Sequence, residues 1–262
     1  MVDEGEVLWD ESRIQHLMAR ELGEEVAGAL ALARETQERW TRRRHPHEGL
    51  RERKKRHTRQ QISDVATVLF VMRGFDQVTV SQIAQIVGVS EKTVFNYFPT
   101  KESLVFDRSD ETVERLVQAL RERPQGESPT RAVLRALDED MKDLEDLPDE
   151  LYAFLPRFER MLEATPSLRA AWLDLQRRLV EVATEELAAL AELDPRDPEP
   201  MVAARAIVAL TDLANASRMR HIEAGLRGRE LREAVLGDLD RAARLLDVGL
   251  RSFNPRAPLP SA

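Results

Sequence analysis

The chain has 262 residues, of which 42% are hydrophobic, 33% are charged and 5% are aromatic. This is the composition of a water-soluble globular protein with one large domain or two smaller ones. The absence of cysteine excludes disulfides, thiolate nucleophiles and cysteine-ligated metal sites. No apolar run approaches the ~20 residues of a transmembrane helix, and the acidic N-terminus is unlike a signal peptide, so we expect a cytoplasmic protein.

Charge is distributed unevenly along the chain. The formal net charge at pH 7 is −8, yet residues 39–60 include ten Lys or Arg residues and only two acidic ones. A basic segment on an acidic body indicates a localised anionic partner, and it argues against a chain that coats nucleic acid over its whole surface.

The first section of the chain, residues 1–50, is predicted to be an N-terminal extension. Its apolar residues recur at steps of three and four, which is typical of an amphipathic helix. We expect this helix to run from about residue 10 to about residue 44 and to end at His45-Pro46-His47, because proline disfavours helix at the residue before it.

The second section, residues 51–106, contains closely spaced helix signals. A helix is predicted from Thr58 to Arg73, where Gly74 ends it. Two short helices follow over 80–87 and 91–97, with Thr79 and Ser90 as their N-caps and Gly88 in the turn between them. A longer helix is expected from Lys101 to Arg123.

The third section, residues 107–262, is a series of longer helices separated by proline and glycine. No strand of convincing length is present, so the predicted fold class is all-α. The tail from Asn254 onward is expected to fray. The predicted helices span residues 130–146, 149–163, 166–193, 199–224 and 229–252.

Two short helices joined by a tight turn that contains glycine make a helix-turn-helix. We expect small and branched apolar residues, such as Ala84 and Val94, to hold the helices at a steep angle. The remaining side chains are short and polar, and they would face solvent. Such groups suit base edges and phosphates in the major groove of DNA.

The run from Thr79 to Leu104, TVSQIAQIVGVSEKTVFNYFPTKESL, resembles the DNA-binding domain of the tetracycline-repressor (TetR/AcrR) family of bacterial transcription regulators. The close resemblance covers residues 57–106. It implies an N-terminal three-helix DNA-binding domain over 51–106, and a helical domain over 107–262 that dimerises and binds a ligand. The extension over 1–50 departs from the family. It could pack across the body, extend the DNA contact through Arg39–Arg44, be partly disordered, or come from a misplaced start codon.

The resemblance also implies residue roles. Many family members have Tyr where this chain has Phe95, so a phosphate contact through that hydroxyl is missing here. Glu91 could accept from cytosine or tilt away. Tyr97 could instead be a core aromatic, as we expect Phe98 to be, and Lys101 could be an exposed cap residue. The basic run 51–57 could be a solvated linker or an arm along the minor groove or backbone. The predicted DNA-binding residues are Arg56, Thr79, Ser81, Gln82, Lys92, Thr93, Asn96, Tyr97 and Lys101.

The C-terminal domain is expected to form a homodimer through its last two helices, so that two-fold symmetry matches a palindromic operator. A small-molecule effector, largely apolar, would bind among residues 130–224, although each candidate could also be an ordinary core or surface residue. The candidate ligand-binding residues are Phe154, Arg157, Phe158, Met161, Trp172 and His221.

Enzymatic function is not expected. The five histidines are scattered, and no phosphate loop or nucleophile elbow is present, so no catalytic residue, metal site or cofactor is predicted. The predicted function is a ligand-responsive transcriptional repressor. Activator and non-specific architectural DNA-binding protein are the alternatives. The sequence does not identify the effector, the operator or the regulated genes.

Overall fold

A computed structural model gives the fold, and the residues that it describes are Gly28, 49–142, 145, 147 and 149–249. Within these residues the chain is all-helical and has no strand, as predicted. The helix predicted over 10–44, the sequence His45-Pro46-His47 and the tail from Asn254 lie outside the described residues.

The described residues contain nine α-helices and two short 3-10 helices. The 3-10 helices cover Phe75–Gln77 and Glu102–Leu104. The α-helices are α1 (Leu50–Arg73), α2 (Val80–Val87), α3 (Glu91–Tyr97), α4 (Ser109–Arg121), α5 (Pro129–Lys142), α6 (Asp149–Ala164), α7 (Pro166–Ala191), α8 (Pro198–Glu223) and α9 (Gly228–Gly249).

The described residues divide into two compact units, of which the first includes residues 49–107 and 149–166. Helix α1 is central to it, because α2, both 3-10 helices and α6 all pack against α1. Gly74 ends α1 with a φ of +91°, and its N–H donates to the carbonyl of Phe70 at 2.9 Å. The buried apolar residues of α1 are Ile62, Val65, Ala66, Val68, Leu69 and Phe70.

The second unit includes the described residues from 108 to 147 and from 167 to 249. Within it α5 contacts α4, α8 and α9, and α8 also packs along α9. Its core is built from buried residues of α4, α5, α7 and α8, among them alanines on α7 and α8. No helix in the described part of the chain is both long enough and apolar enough to traverse a bilayer.

Two of the predicted helix boundaries were wrong. Helix α1 begins at Leu50 and not at Thr58, so the basic run 51–57 is helical. Its Lys and Arg residues are good helix formers, and Glu52 lies favourably in the first turn.

The single helix predicted from Lys101 to Arg123 is instead a 3-10 turn followed by α4. The hydroxyl of Ser63 donates to the carbonyl of Leu104 at 2.8 Å, and this bond is buried. The carbonyl of Leu104 therefore has a tertiary partner in place of a helical one. Tertiary context overrides local propensity here.

Candidate DNA-binding surface

The start of α2 is fixed by a reciprocal cap. The backbone N–H of Gln82 donates to the Thr79 hydroxyl at 3.2 Å, and the N–H of Thr79 donates to the Gln82 side-chain oxygen at 2.9 Å. This capping box satisfies two backbone donors that the helix leaves unpaired. Gln82 and Ser81 are exposed, whereas Ile83, Ala84 and Val87 are buried.

The turn between α2 and α3 depends on Gly88, whose φ is +80° in the left-handed region. Its N–H and the N–H of Val89 both donate to the carbonyl of Ala84 at 2.9 Å. These bonds satisfy the C-terminal end of α2, and a side chain at position 88 would be strained in this conformation.

Ser90 is the N-cap of α3, and its hydroxyl accepts from the N–H of Thr93 at 3.0 Å. Val94 lies on the inner side of α3, and Phe98 is the first residue after the helix. Both side chains are buried, and each residue is 1% exposed. As predicted, Phe98 is a core aromatic. Tyr97 is half-buried.

Four residues of α3 face solvent. We call Glu91, Lys92, Phe95 and Asn96 the outer face of α3, since all four are exposed. They form two pairs spaced by four residues, so each pair lies along the helix axis. The outer face presents an anion, a cation, an amide and an aromatic ring.

Side chains from α1 hold the segment that leaves α3. The Arg59 guanidinium donates to the carbonyl of Tyr97 at 2.7 Å and to that of Asp107 at 3.1 Å. It also lies 4.4 Å from the ring centroid of Phe98. A cation at the carbonyl end of a helix is favourable. Sequence reasoning missed this role because Arg59 was counted only as part of the basic segment. Its one available signal was its position about one helical turn before Ile62, the first buried apolar residue of α1.

Lys101 is half-buried and bonds within the first unit. Its ammonium Nζ donates to the carbonyl of Phe75 at 2.5 Å and lies 4.3 Å from the ring centroid of Phe75. Burial lowers the pKa of Lys101, and the nearby carboxylates of Asp76 and Glu102 oppose that shift. Because an ammonium has three donors, one bond to a carbonyl leaves capacity for a further contact. The predicted phosphate contact of Lys101 stays a prediction.

The N-terminal turns of α1 carry basic side chains beside this domain. Lys54 and Lys55 are exposed, and Arg56 is half-buried. The Thr58 hydroxyl donates to the carbonyl of Lys54 at 3.0 Å, which joins these turns to the rest of α1. The basic run is therefore a helical extension of α1 and not an extended arm.

The profile of bacterial regulatory proteins of the tetR family matches residues 62–107. This range begins within α1, includes α2 and α3 completely, and ends just before α4. Residues 62–107 of this chain are therefore similar to the tetR family of bacterial regulatory proteins, as the resemblance predicted. The predicted helix-turn-helix is confirmed.

Two relatives match this chain over more residues than the 62–107 range of the family profile. The HTH-type transcriptional regulator TcmR of Streptomyces glaucescens is 34% identical over 143 residues, which are 51% of this chain and 62% of TcmR, so the match spans less than two thirds of that protein. The HTH-type transcriptional repressor AcnR of Corynebacterium diphtheriae is 28% identical over 203 residues, which are 76% of this chain and 93% of AcnR. Both relatives are named as transcriptional regulators and not as enzymes.

A solved structure, SmeT in complex with triclosan, shares the fold. The TM-score is 0.51 at 17% identity, over 72% of this chain and 91% of the SmeT chain. At this identity the likeness concerns the fold alone.

The six candidate ligand-binding residues are distributed over both units. Four lie on α6 in the first unit, where Arg157 is exposed and the three apolar ones, Phe154, Phe158 and Met161, are half-buried. Trp172 on α7 and His221 on α8 belong to the second unit and are half-buried. Their ligand-binding role stays a prediction.

A cavity of about 50 Å³ lies in the second unit, among α4, α5, α7 and α8. Arg115 and Asp140 form an ion pair beside it, with Nη1 and Oδ1 at 2.5 Å. Its remaining lining is mostly apolar, and none of the six candidates contributes to it. The other lining residues are Thr112, Leu116, Ala119, Val133, Ala136, Leu137, Leu179 and Thr211.

Asp238 is the centre of a polar cluster that joins α8 and α9. This carboxylate is 9% exposed. It accepts from the Ser217 hydroxyl at 2.5 Å and from both Arg220 and Arg241, and it lies 3.0 Å from Nε2 of His221. Burial alone would raise the pKa of Asp238, but these hydrogen bonds and the charge of Arg220 hold it well below its usual range. His221 thus has a partner within its own unit.

Proposed function

We propose that the protein is a cytoplasmic transcriptional regulator that represses transcription by binding a palindromic operator in double-stranded DNA. The observation that carries the proposal is the bent pair of α2 and α3, whose outer face is open to solvent while Val94 and Phe98 anchor α3 from behind. A second short helix held in this way is the element that enters a major groove. The repressor assignment is supported by the name of AcnR, the relative that matches over most of its own length.

Specific contacts are proposed for α3. Lys92 and Asn96 occupy one stripe of the outer face, and their donors suit the acceptors of guanine and adenine. Thr93 is half-buried, and its hydroxyl lies 2.8 Å from that of Ser90, so we assign it to the edge of the contact.

Backbone contacts are proposed for the residues around α3. The capped N-terminus of α2 would face the phosphates on one edge of the groove, and it presents Thr79, Ser81 and Gln82. The Tyr97 hydroxyl would face the phosphates on the other edge. Lys101 would add a phosphate contact, and Arg56 would act on the backbone together with the exposed Lys54 and Lys55. Each phosphate neutralised makes the salt dependence of binding steeper by about 0.9 in log–log slope.

We propose that a homodimer is the DNA-binding form. Support comes from large apolar side chains exposed on α8 and α9, since Val202 is 63% exposed, Leu245 79% and Val248 65%. Exposed residues of this kind are typical of a subunit interface. A two-fold dimer would present two copies of α3 to a palindrome.

Effector binding is proposed for the second unit. The mostly apolar lining of its cavity favours a largely apolar small molecule. At about 50 Å³ the cavity is far smaller than the ~300–1,000 Å³ of typical ligand sites. An effector would therefore select a conformation with more widely separated helices, and repression would end by a shift in population.

A mobility-shift titration against the DNA upstream of the protein's own gene tests the proposal. We expect a saturable, sequence-dependent shift at moderate salt. Asn96→Ala should relax specificity with a loss of about 1–3 kcal/mol, while Lys101→Ala should weaken binding to every sequence alike. The absence of a saturable shift, or an equal loss on all sequences from both variants, would contradict the proposed roles.

A further inference from the structure

Phe95 is exposed at the centre of the surface that we propose enters DNA. In the described residues of the first unit, the large hydrophobic side chains that are exposed are Phe95 at 48% and Met72 at 37%. The other two large apolar positions at this helix, Val94 and Phe98, are buried. The aromatic ring of Phe95 thus projects from the outer face of α3 and not into the core.

The helical spacing places Phe95 among groups that can approach base edges. Phe95 follows Glu91 by four residues, so its ring lies one helical turn from the Glu91 carboxylate. The next residue, Asn96, places its side-chain amide beside the ring. Because α3 is held at both ends, by the Ser90 cap and by the bonds of Arg59, the position of the ring is fixed relative to these neighbours.

A phenyl ring neither donates nor accepts a conventional hydrogen bond, so it cannot read the polar edges of a base pair. The C5-methyl group of thymine is the apolar feature that the major groove presents, and a ring of this kind can bury it. The deoxyribose carbons of the backbone are also apolar, but they are the same at every base pair, so only the thymine methyl group can make such a contact depend on sequence.

We infer that Phe95 is a specificity-determining residue that contacts the methyl group of one thymine in each operator half-site. The inference rests on the proposed DNA-binding function and names one base that this function would recognise. Removing one methyl-sized contact corresponds to about a fourfold loss of affinity.

The experiment first separates this inference from the proposed function. Full-length protein selects duplexes from a random library, and failure to enrich any sequence counts against the proposed function itself. An enriched duplex is then resynthesised with each thymine replaced in turn by deoxyuridine, which lacks only the C5-methyl group. Dissociation constants are measured at one fixed salt concentration for the wild type and for Phe95→Ala.

We expect one thymine per half-site at which deoxyuridine weakens the wild type about fourfold, and no such loss in Phe95→Ala. Phe95→Leu should retain the sensitivity because it keeps an apolar side chain, which provides a second variant should alanine bind too weakly. Met72→Ala is the matched control, and it should keep the wild-type response.

Two results would overturn the inference. The first is a wild type that loses no affinity at any deoxyuridine position. The second is a Phe95→Ala variant that loses as much as the wild type at the same position, since the methyl group would then be contacted by another residue. Circular dichroism of each variant verifies that the overall helix content is unchanged.

Discussion

The two units of this chain fix their helices with different chemistry. In the first unit the side chains of Arg59, Ser63 and Lys101 donate to backbone carbonyls. In the second unit arginines pair with carboxylates from other elements, as Arg232 on α9 does with Asp138 on α5 at 2.6 Å and with Glu145 in the turn after α5 at 2.8 Å. Each helix end leaves carbonyls without a partner in the helix, and the acceptors Tyr97, Leu104 and Phe75 lie at the end of α3 and in the two 3-10 helices of the first unit.

The difference has a consequence for pH. Backbone carbonyls do not titrate, and a guanidinium keeps its charge over the ordinary pH range. Carboxylates lose their charge in acid. The folding of the first unit should therefore respond less to acid than that of the second, and the following substitutions test this contrast in order of decreasing effect.

The largest effect is expected for Arg59→Ala. It leaves the carbonyls of Tyr97 and Asp107 without their donor and removes the cation beside Phe98. Hydrogen bonds to a charged group contribute about 1.5–3 kcal/mol, so we expect a loss of about 3 kcal/mol in the free energy of unfolding, measured by urea titration. The loss should be the same at pH 5 and pH 8. A strongly pH-dependent loss would break the contrast between the units.

Asp238→Asn should cost about 2 kcal/mol at pH 7, because Arg220 and Arg241 are both more than half exposed and solvent screens their share. The pKa of Asp238 is depressed in the folded protein. Its contribution is therefore present above the unfolded pKa of about 3.9 and is lost as pH falls below it. The thermal midpoints of wild type and variant should converge in strong acid. A difference that is constant from pH 7 to pH 2 would contradict this assignment.

Gly88→Ala should cost about 1 kcal/mol, since alanine is strained in the left-handed region. Space is not the reason, because nothing lies within 4 Å of an added Cβ. Thermal unfolding measures the loss, and Gly88→Asn is the matched variant that should recover part of it. Equal destabilisation by alanine and asparagine would argue against the conformational explanation.

The smallest effect is expected for Arg177→Ala. Arg177 lies 3.6 Å from Asp174 and 3.8 Å from Glu181, and all three side chains are highly exposed. Exposed pairs of this kind contribute at most about 0.5 kcal/mol. A urea titration should therefore hardly distinguish the variant from wild type. A loss comparable to that of Asp238→Asn would show that burial does not set the strength of the ion pairs in the second unit.

The sequence predicted α2 and α3 to the residue, because their boundaries depend on the local caps Thr79, Gly88 and Ser90. It failed where distant residues decide. The break before α4 depends on Ser63, which lies 41 residues from Leu104. The packing of α6 against α1 likewise has no local signal in the sequence.

The candidate site divides in the same way. The open side of α3 follows from helical spacing, so Lys92 and Asn96 were identified as exposed from the sequence alone. The internal bond of Lys101 could not be foreseen, because Phe75 lies in a separate turn 26 residues earlier.

The start of α1 at Leu50 means that the basic residues ahead of Thr58 belong to the same rod as the buried residues behind it. Eight helical residues extend that rod by about 12 Å. Lys54 and Lys55 consequently keep a defined angular phase relative to α3. Inserting one alanine after Lys55 would rotate them by about 100°, whereas four would return them to within about 40° of the original direction. An insertion or deletion at this point therefore preserves the direction of these side chains only when its length is close to a whole number of helical turns.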